Sequence, residues 1–97
     1  MMTVLVAYDV STEDAAGRRR LRRVAQQCTN FGQRVQKSVF ECQVNDMEYE
    51  RMVRSLVKII HKEEDSLRIY RLMEPLKKHV RVFGWDKKVD FNQPLVV

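Results

Sequence analysis

The sequence is poor in residues that interrupt regular structure, and it has no apolar run long enough to cross a membrane. Three glycines and two prolines in 97 residues, with 44% apolar residues, are typical of a folded domain and argue against a disordered chain. A membrane-spanning helix needs about 18 or more apolar residues in succession, and none occurs. The N-terminal segment lacks a basic leader and a small-residue cleavage site, so we expect a cytoplasmic protein.

Cysteine and histidine are also scarce, which bears on redox and metal chemistry. Cys28 and Cys42 lie in apolar-periodic segments and form no C-x-x-C pair. The two cysteines could form a disulfide or half of a metal site, but their apolar surroundings in the sequence favour reduced thiols in the core. His61 and His79 have no further histidine or cysteine at ligand spacing, which argues against a zinc site. The sequence also lacks a glycine-rich phosphate loop.

The length of the chain limits the size of its core, and its charge indicates the type of partner. Residues 1–97 are enough for one domain, with a core small enough that a second copy would be a natural stabiliser. The net charge is +5, and eleven of the eighteen basic residues are arginine. Because the planar guanidinium matches phosphate with two parallel hydrogen bonds, this composition indicates a polyanionic partner.

Two segments have the apolar spacing of amphipathic helices. Residues 11–14 resemble a capping box, and Gly17 weakens the turn that follows, so we expect regular helix only from near Arg18. Asn45 with Glu48 predicts a second capping box. The apolar residues that mark the two stripes are Leu21, Val24, Ala25, Cys28 and Phe31, and then Met52, Val53, Leu56, Val57 and Ile60.

The remaining segments are strand-like. Residues 3–8, 66–72 and 80–85 are each predicted to form a strand. Residues 34–44 are long for one strand, and either a single bent strand or two strands meeting at a kink agrees with the pattern. The order β-α-β-(β)-α-β predicts the α+β ferredoxin-like sandwich, a sheet with two helices on one face.

The C-terminal segment, residues 86–97, is predicted to leave its own subunit. An unpaired apolar strand at a chain end usually pairs with the edge of a sheet. Pro94 has no backbone N–H, so it fits only at a strand position where no N–H donor is needed. We therefore expect this segment to form an edge strand on a second subunit, with Leu95, Val96 and Val97 buried there. Reciprocal exchange of the two segments would make a homodimer.

Asp9 is the first candidate for chemistry. A carboxylate directly after an apolar strand lies where α/β sheets commonly place ligand-binding groups. Magnesium accepts one or two carboxylates and keeps its other positions for water and phosphates, so a two-fold axis could supply a second Asp9. From the residues alone, however, a helix cap or an Asx-turn is the commoner role of such an aspartate.

The first helix carries five arginines in six positions. Arg18 and Arg22 share one face of this helix, and so do Arg19 and Arg23. Such crowding is unfavourable unless an anion lies across it. A solvated face with partial pairing to nearby acids is the alternative, but the density favours phosphate contacts, which position a nucleic-acid backbone without reading its sequence.

Four blocks of the sequence together resemble the CRISPR-associated Cas-two family. They are YDV at 8–10, the arginine-rich helix, QKSVFE at 36–41 and DSLRIY at 65–70. The first block alone is a weak signal, but its combination with G-x-R-V-Q-x-S-V-F-E is quite specific. The spacing of the blocks agrees, and the resemblance covers nearly the whole chain.

The resemblance implies a ferredoxin-like fold and a homodimer in which the C-terminal strand adds to the partner's sheet. It also implies work beside the Cas-one integrase in acquiring new spacers. Some members are assigned metal-dependent endonuclease activity on RNA or double-stranded DNA. Others act only as a scaffold that bridges two integrase dimers across the incoming DNA.

The resemblance also implies roles for particular residues. By position, Asp9 matches the family's metal-binding aspartate, which makes it a ligand of one Mg²⁺ shared between two subunits. Tyr8, Arg34 and Phe40 match residues linked to activity. Beyond the resemblance, Glu41 and Asp65 are further metal-ligand candidates by their chemistry.

Overall fold

In the computed structural model, residues 1–85 are described, and they form a four-stranded antiparallel sheet with two helices. The strands lie in the order β2-β3-β1-β4. The elements are β1 (Met2–Asp9), α1 (Ala15–Thr29), β2 (Gly32–Gln36), β3 (Val39–Val44), α2 (Asp46–Ile59), β4 (Ser66–Leu72) and a 3₁₀ turn at Leu76–Lys78. This β-α-β-β-α-β order confirms the predicted ferredoxin-like sandwich.

The core lies between the sheet and the two helices. Alternate side chains of β1, those of Val4, Val6 and Tyr8, point to the helices and are buried. Each large side chain buried in this way contributes roughly 1.5–3 kcal/mol to the free energy of unfolding before its entropy cost. The buried residues packed with them are Phe40, Cys42 and Val44 of β3, Val24 and Cys28 of α1, and Met52 and Leu56 of α2.

The two helices begin in different ways. Asn45 caps α2, and its side chain and that of Glu48 each accept a hydrogen bond from the other's backbone N–H, which confirms the predicted capping box. Within the described part of the chain, neither helix is long and apolar enough to cross a membrane.

The expected start of α1 near Arg18 is wrong, because the helix already begins at Ala15. Asp14 is the N-cap and accepts a hydrogen bond of 2.7 Å from the Gly17 N–H. A β-carbon at Gly17 would overlap the backbone oxygen of Ser11. Gly17 therefore allows a close approach of the loop to the first turn, and its low helix propensity is offset by this packing.

Residues 34–44 form two strands and not the single bent strand that the sequence also allowed. β2 and β3 pair directly, and Lys37 and Ser38 make the turn between them. The register shifts between Arg34 and Gln36, so the pairing contains a bulge. Because neither turn residue is a glycine, asparagine or aspartate, the sequence carries no strong hairpin signal here.

The prediction of a strand at residues 80–85 is wrong, because the structure has no strand there. A strand needs a neighbour to pair with, and residues 80–85 pair with neither edge of the sheet. Val82 and Phe83 instead lie near Leu5 and Val39, on the sheet face that carries no helix. The predicted partner-exchanging strand at 86–97 lies outside the described residues.

Candidate functional site

The fold brings together Tyr8, Arg34 and Phe40, three of the residues predicted to act in catalysis. Tyr8 on β1 and Phe40 on β3 stack with their ring centroids 6.3 Å apart at an angle of 25°. Arg34 of β2 is paired in register with Phe40 of β3. Because paired residues share a face of the sheet, the Arg34 guanidinium lies over the Phe40 ring, 5.2 Å from its centroid.

This cluster lines an open groove of about 690 Å³ between α1 and the β2–β3 hairpin. α1 contributes Leu21, Arg22 and Ala25, and the hairpin contributes Gln33 and Lys37. Three of the lining side chains are cations, and none of the described residues that line the groove is acidic. The local field therefore favours an anionic ligand. The sequence analysis assigned no role to Lys37 or Gln33, because nothing local distinguishes them from ordinary polar hairpin residues.

The Tyr8 hydroxyl is a protonated donor in this groove. Tyr8 is buried, with only 5% of the residue exposed, and it lies beside Arg34. Burial raises the pKa of the phenol, and the neighbouring Arg34 side chain opposes that rise, by hydrogen bonding and by its charge, without reversing it. At neutral pH the phenol is therefore protonated, so it can donate a hydrogen bond and cannot act as a base.

The structure places Asp9 apart from that cluster. Asp9 is the last residue of β1, is exposed, and pairs in register with Ser66 of β4. Since successive side chains of a strand point to opposite faces, Asp9 and Tyr8 lie on opposite sides of the sheet. Asp9 does not line the groove. The predicted catalytic set is therefore divided between two faces of the sheet.

One chain supplies a single carboxylate at the predicted magnesium position. Residues 1–85 contain no group of three or more histidine, cysteine, aspartate or glutamate side chains that could hold a metal. The exposed Asp9 carboxylate is a hard oxygen ligand of the kind Mg²⁺ accepts while keeping several waters. Asp9 thus fits a magnesium ion as one half of a site that a second copy would complete.

Asp65, a metal-ligand candidate by its chemistry, has a structural role instead. Its side chain has no exposed surface, and each of its oxygens accepts two hydrogen bonds. The donors are Arg20, at 2.8 Å from Nε, and the backbone N–H groups of Ser11 and His61. Burial alone would raise the pKa of this carboxyl, but these hydrogen bonds outweigh it and hold the pKa below its ordinary value. The four lone-pair positions are occupied, which leaves none for a metal.

The arginines of α1 divide into one that is paired and four that lie at the surface. Arg20 binds Asp65 and Glu64, so it is neutralised by residues about 45 positions away in the chain. The four arginines predicted to contact phosphate, Arg18, Arg19, Arg22 and Arg23, are exposed. Of these, Arg22 also lines the groove, which joins the arginine surface to the Tyr8 cluster.

Both cysteines are buried and free, as predicted for reduced core thiols. Burial raises the pKa of Cys28 to about 12 and that of Cys42 to about 11. Neither thiol forms a thiolate at neutral pH, so neither is suited to nucleophilic chemistry.

Comparisons with known proteins agree with this picture. Residues 2–80 match the family model described as CRISPR associated protein Cas2, the Cas-two family named above. The chain is 54% identical over 96 residues to "CRISPR-associated endoribonuclease Cas2 1" of Moorella thermoacetica, covering 99% of this chain and all of that protein. It is 45% identical over 95 residues to "CRISPR-associated endonuclease Cas2" of Halalkalibacterium halodurans, covering 98% and 99% of the two chains. The crystal structure of Streptococcus pyogenes Cas2 superposes with a TM-score of 0.77 at 48% identity, over 86% of this chain and all of that one.

Proposed function

This chain belongs to the CRISPR-associated Cas2 family, and from that membership we propose that it is a homodimeric adaptation protein with magnesium-dependent endonuclease activity on RNA or DNA. It would work with the Cas-one integrase in spacer acquisition. The relatives named endoribonuclease and endonuclease support the activity. The observation that carries the proposal is the groove lined by Arg22, Arg34 and Lys37, which continues into the exposed arginines of α1. This surface is complementary to a phosphate backbone.

Asp9 would hold the metal in this proposal, one carboxylate from each subunit. A bound Mg²⁺ would neutralise charge on the phosphate oxygens and supply an activated water. The chain's own contribution is to position the nucleic acid. Arg34, held over Phe40, presents N–H donors to phosphate, and the protonated Tyr8 hydroxyl offers one more donor nearby.

The sheet face without helices supports the proposed homodimer. Leu5 and Val39 lie on this face, with Val82 and Phe83 beside them. Val82 is 57% exposed and Phe83 78% exposed, which is unusual for large apolar side chains that lie close together. A second copy docked here would cover these residues and would lie on the face that carries Asp9.

A non-catalytic scaffold is the alternative function, and one observation favours it. Asp9 lies on the opposite side of the sheet from Tyr8, Arg34 and Phe40, so the described chain shows no single centre that combines metal and phosphate ligands. Phosphate binding by the α1 arginines needs no metal. In this case the dimer would hold DNA for the integrase without cleaving it.

Two variants distinguish the proposals. Asp9→Asn keeps the shape of the side chain and removes its charge, and the double variant Arg18→Glu with Arg22→Glu reverses the α1 surface. We expect Asp9→Asn to lower Mg²⁺-dependent cleavage about 100-fold or more, since a shared ion loses both carboxylates. The charge reversal should weaken nucleic-acid binding and abolish spacer acquisition.

Arg51→Glu with Arg54→Glu is the matched control, because it makes the same change of charge on exposed positions of α2. This control should retain most of the acquisition. Cleavage by Asp9→Asn at the wild-type rate would refute the shared magnesium site. Intact acquisition by Asp9→Asn, together with its loss on charge reversal, would establish the scaffold function.

A further inference from the structure

Asp9 and the two residues after it are held from outside their own strand. Asp9 pairs in register with Ser66 at the start of β4. Val10 is buried in the core, and the Ser11 backbone N–H donates a hydrogen bond of 3.1 Å to the Asp65 carboxylate. Asp65 and Ser66 are neighbours in the chain, so one dipeptide holds residues 9 and 11 at once. The exposed Asp9 side chain therefore projects from a backbone that is fixed before and after it.

Ser11 is also held from its other side, by the first turn of α1. A β-carbon at Gly17 would overlap the Ser11 carbonyl oxygen. The Gly17 N–H donates to the Asp14 side chain at 2.7 Å, which keeps this turn in place. A shift of Ser11 towards α1 would therefore produce a clash. A shift that lengthens the bond to Asp65 would instead cost a hydrogen bond to a buried charge.

The Asp65 carboxylate is itself fixed by two other elements. Arg20 of α1 donates to it from Nε at 2.8 Å, and the backbone N–H of His61, just after α2, donates at 2.8 Å. The Arg20 side chain is only 14% exposed, and that of Asp65 has no exposed surface. A buried ion pair adds little stability compared with apolar residues of similar volume, because desolvating the two charges offsets most of their attraction. Its better-attested use is to specify one arrangement, so this pair points to a position that must be kept.

We propose that Asp65 is a positioning residue for Asp9. By fixing Ser11, it sets where the Asp9 carboxylate meets a divalent cation shared with a second copy. The inference rests on the proposed magnesium site and adds to it a residue that touches neither the ion nor the nucleic acid. Mg²⁺ demands nearly ideal octahedral geometry, so its ligands must be held to within about 0.5 Å. In a shared site each displacement of Asp9 occurs twice, once in each subunit. A loosened Ser11 would therefore weaken metal binding without removing any ligand.

The test measures Mn²⁺ binding to the full chain at pH 7, from the electron paramagnetic resonance signal of the free ion. Mn²⁺ takes the same octahedral oxygen sites as Mg²⁺. Asp9→Asn identifies the part of the binding that depends on the predicted ligand. We expect Asp65→Asn, in its folded form, to weaken this Asp9-dependent binding about tenfold or more. Gly17→Ala displaces Ser11 from the other side, so it should weaken the binding about three- to tenfold although it changes no charge.

Two control variants separate positioning from charge and from stability. Glu64→Gln removes a negative charge from the residue next to Asp65 and from the same arginine, so it reproduces the change in the local field. Val44→Ala weakens the core at the far end of β1 from Asp9, where Val44 pairs with Met2. Both controls should bind Mn²⁺ within about twofold of the wild-type affinity, because neither changes the contacts of Ser11.

Wild-type Mn²⁺ affinity in Asp65→Asn would overturn the inference and leave the shared magnesium site intact. If Asp65→Asn does not fold, the same result in Gly17→Ala overturns it. An equal loss of affinity in Glu64→Gln would assign the effect to charge, and an equal loss in Val44→Ala would assign it to stability. Either loss would overturn the positioning role. Equal Mn²⁺ binding by wild type and Asp9→Asn would overturn the magnesium site, and this inference with it.

Discussion

The Asp65 carboxylate links the protonation of one residue to the stability of the fold. Its side chain has no exposed surface, and its hydrogen bonds hold the pKa below the ordinary value of 3.8. The folded chain therefore binds this proton more weakly than the unfolded chain does. The stabilisation is fully present above the ordinary pKa, and it is lost as the pH falls from there through the lower folded-state value.

Asp65→Asn should lower the free energy of unfolding at pH 7 by about 1–3 kcal/mol, because Arg20 loses one of its two charged partners and several backbone donors lose a charged acceptor. Urea unfolding at pH 7 and at about pH 2.5 measures the effect, and the difference from wild type should shrink at the lower pH. Glu64→Gln is the control, since Glu64 is 48% exposed and contacts the same arginine. That substitution should change stability little. An equal loss at both pH values for Asp65→Asn would mean that the lost hydrogen-bond acceptor matters and the charge does not.

At the scale of the elements, the structure explains why two segments differ from their propensities. Lys37 and Ser38 form the turn of a hairpin although they are not typical hairpin residues, because β2 and β3 pair on both sides of them. Gly17 lies in the first turn of α1, although glycine is a poor helix former. In both places a tertiary contact outweighs a local preference.

Gly17→Ala tests this balance for α1. Helix propensity alone predicts that alanine would stabilise the helix by about 1 kcal/mol. We expect the opposite, a loss of about 1–3 kcal/mol in the free energy of unfolding, because the new β-carbon would overlap the backbone oxygen of Ser11. Urea denaturation of this variant and of Ala16→Gly, at an exposed position beside it, decides the sign. The control should lose about 0.5–1 kcal/mol. A more stable Gly17→Ala protein would contradict the close packing.

At the scale of the whole molecule, the two sides of the sheet have different tasks. The helix side buries the core and carries the basic groove, whereas the other side leaves Val82 and Phe83 exposed next to Leu5 and Val39. A chain of 97 residues has a modest core, so covering these residues with a second copy would add stability as well as function.

Phe83→Asp should convert the proposed dimer to a monomer, because a charge would be placed in the apolar interface. Met47→Asp is the matched control: Met47 is 77% exposed and Phe83 is 78% exposed, but Met47 lies in the first turn of α2. Sedimentation velocity should show a monomer for the first variant and a dimer for the second.

Truncation after Asp90 tests the predicted strand exchange separately, and it should also yield monomer or aggregate. A tight dimer in both Phe83→Asp and the truncated protein would show that the interface lies elsewhere.

The sequence by itself predicted β1, β4, the two helices and their order, but it left residues 34–44 undecided and predicted a strand at 80–85 that does not form. The alternation in β1, the helical stripes and the Asn45–Glu48 cap depend on contacts within about four residues, so they can be predicted from local spacing. The four sequence blocks at 8–10, in the arginine-rich helix, at 36–41 and at 65–70 were enough to identify the family. The burial of Cys28 and Cys42 also followed from apolar periodicity.

Only the tertiary structure decided which distant residues meet. Arg20 finds its acidic partners 44 and 45 residues away, and Arg34 lies over Phe40 because of the register of β2 and β3. Strand alternation alone puts Asp9 and Tyr8 on opposite faces, but which of the two faces the helices cover depends on tertiary packing. The physical reason is that strand pairing and helix docking are set by the summed packing of the whole chain, whereas periodicity reports only one element at a time.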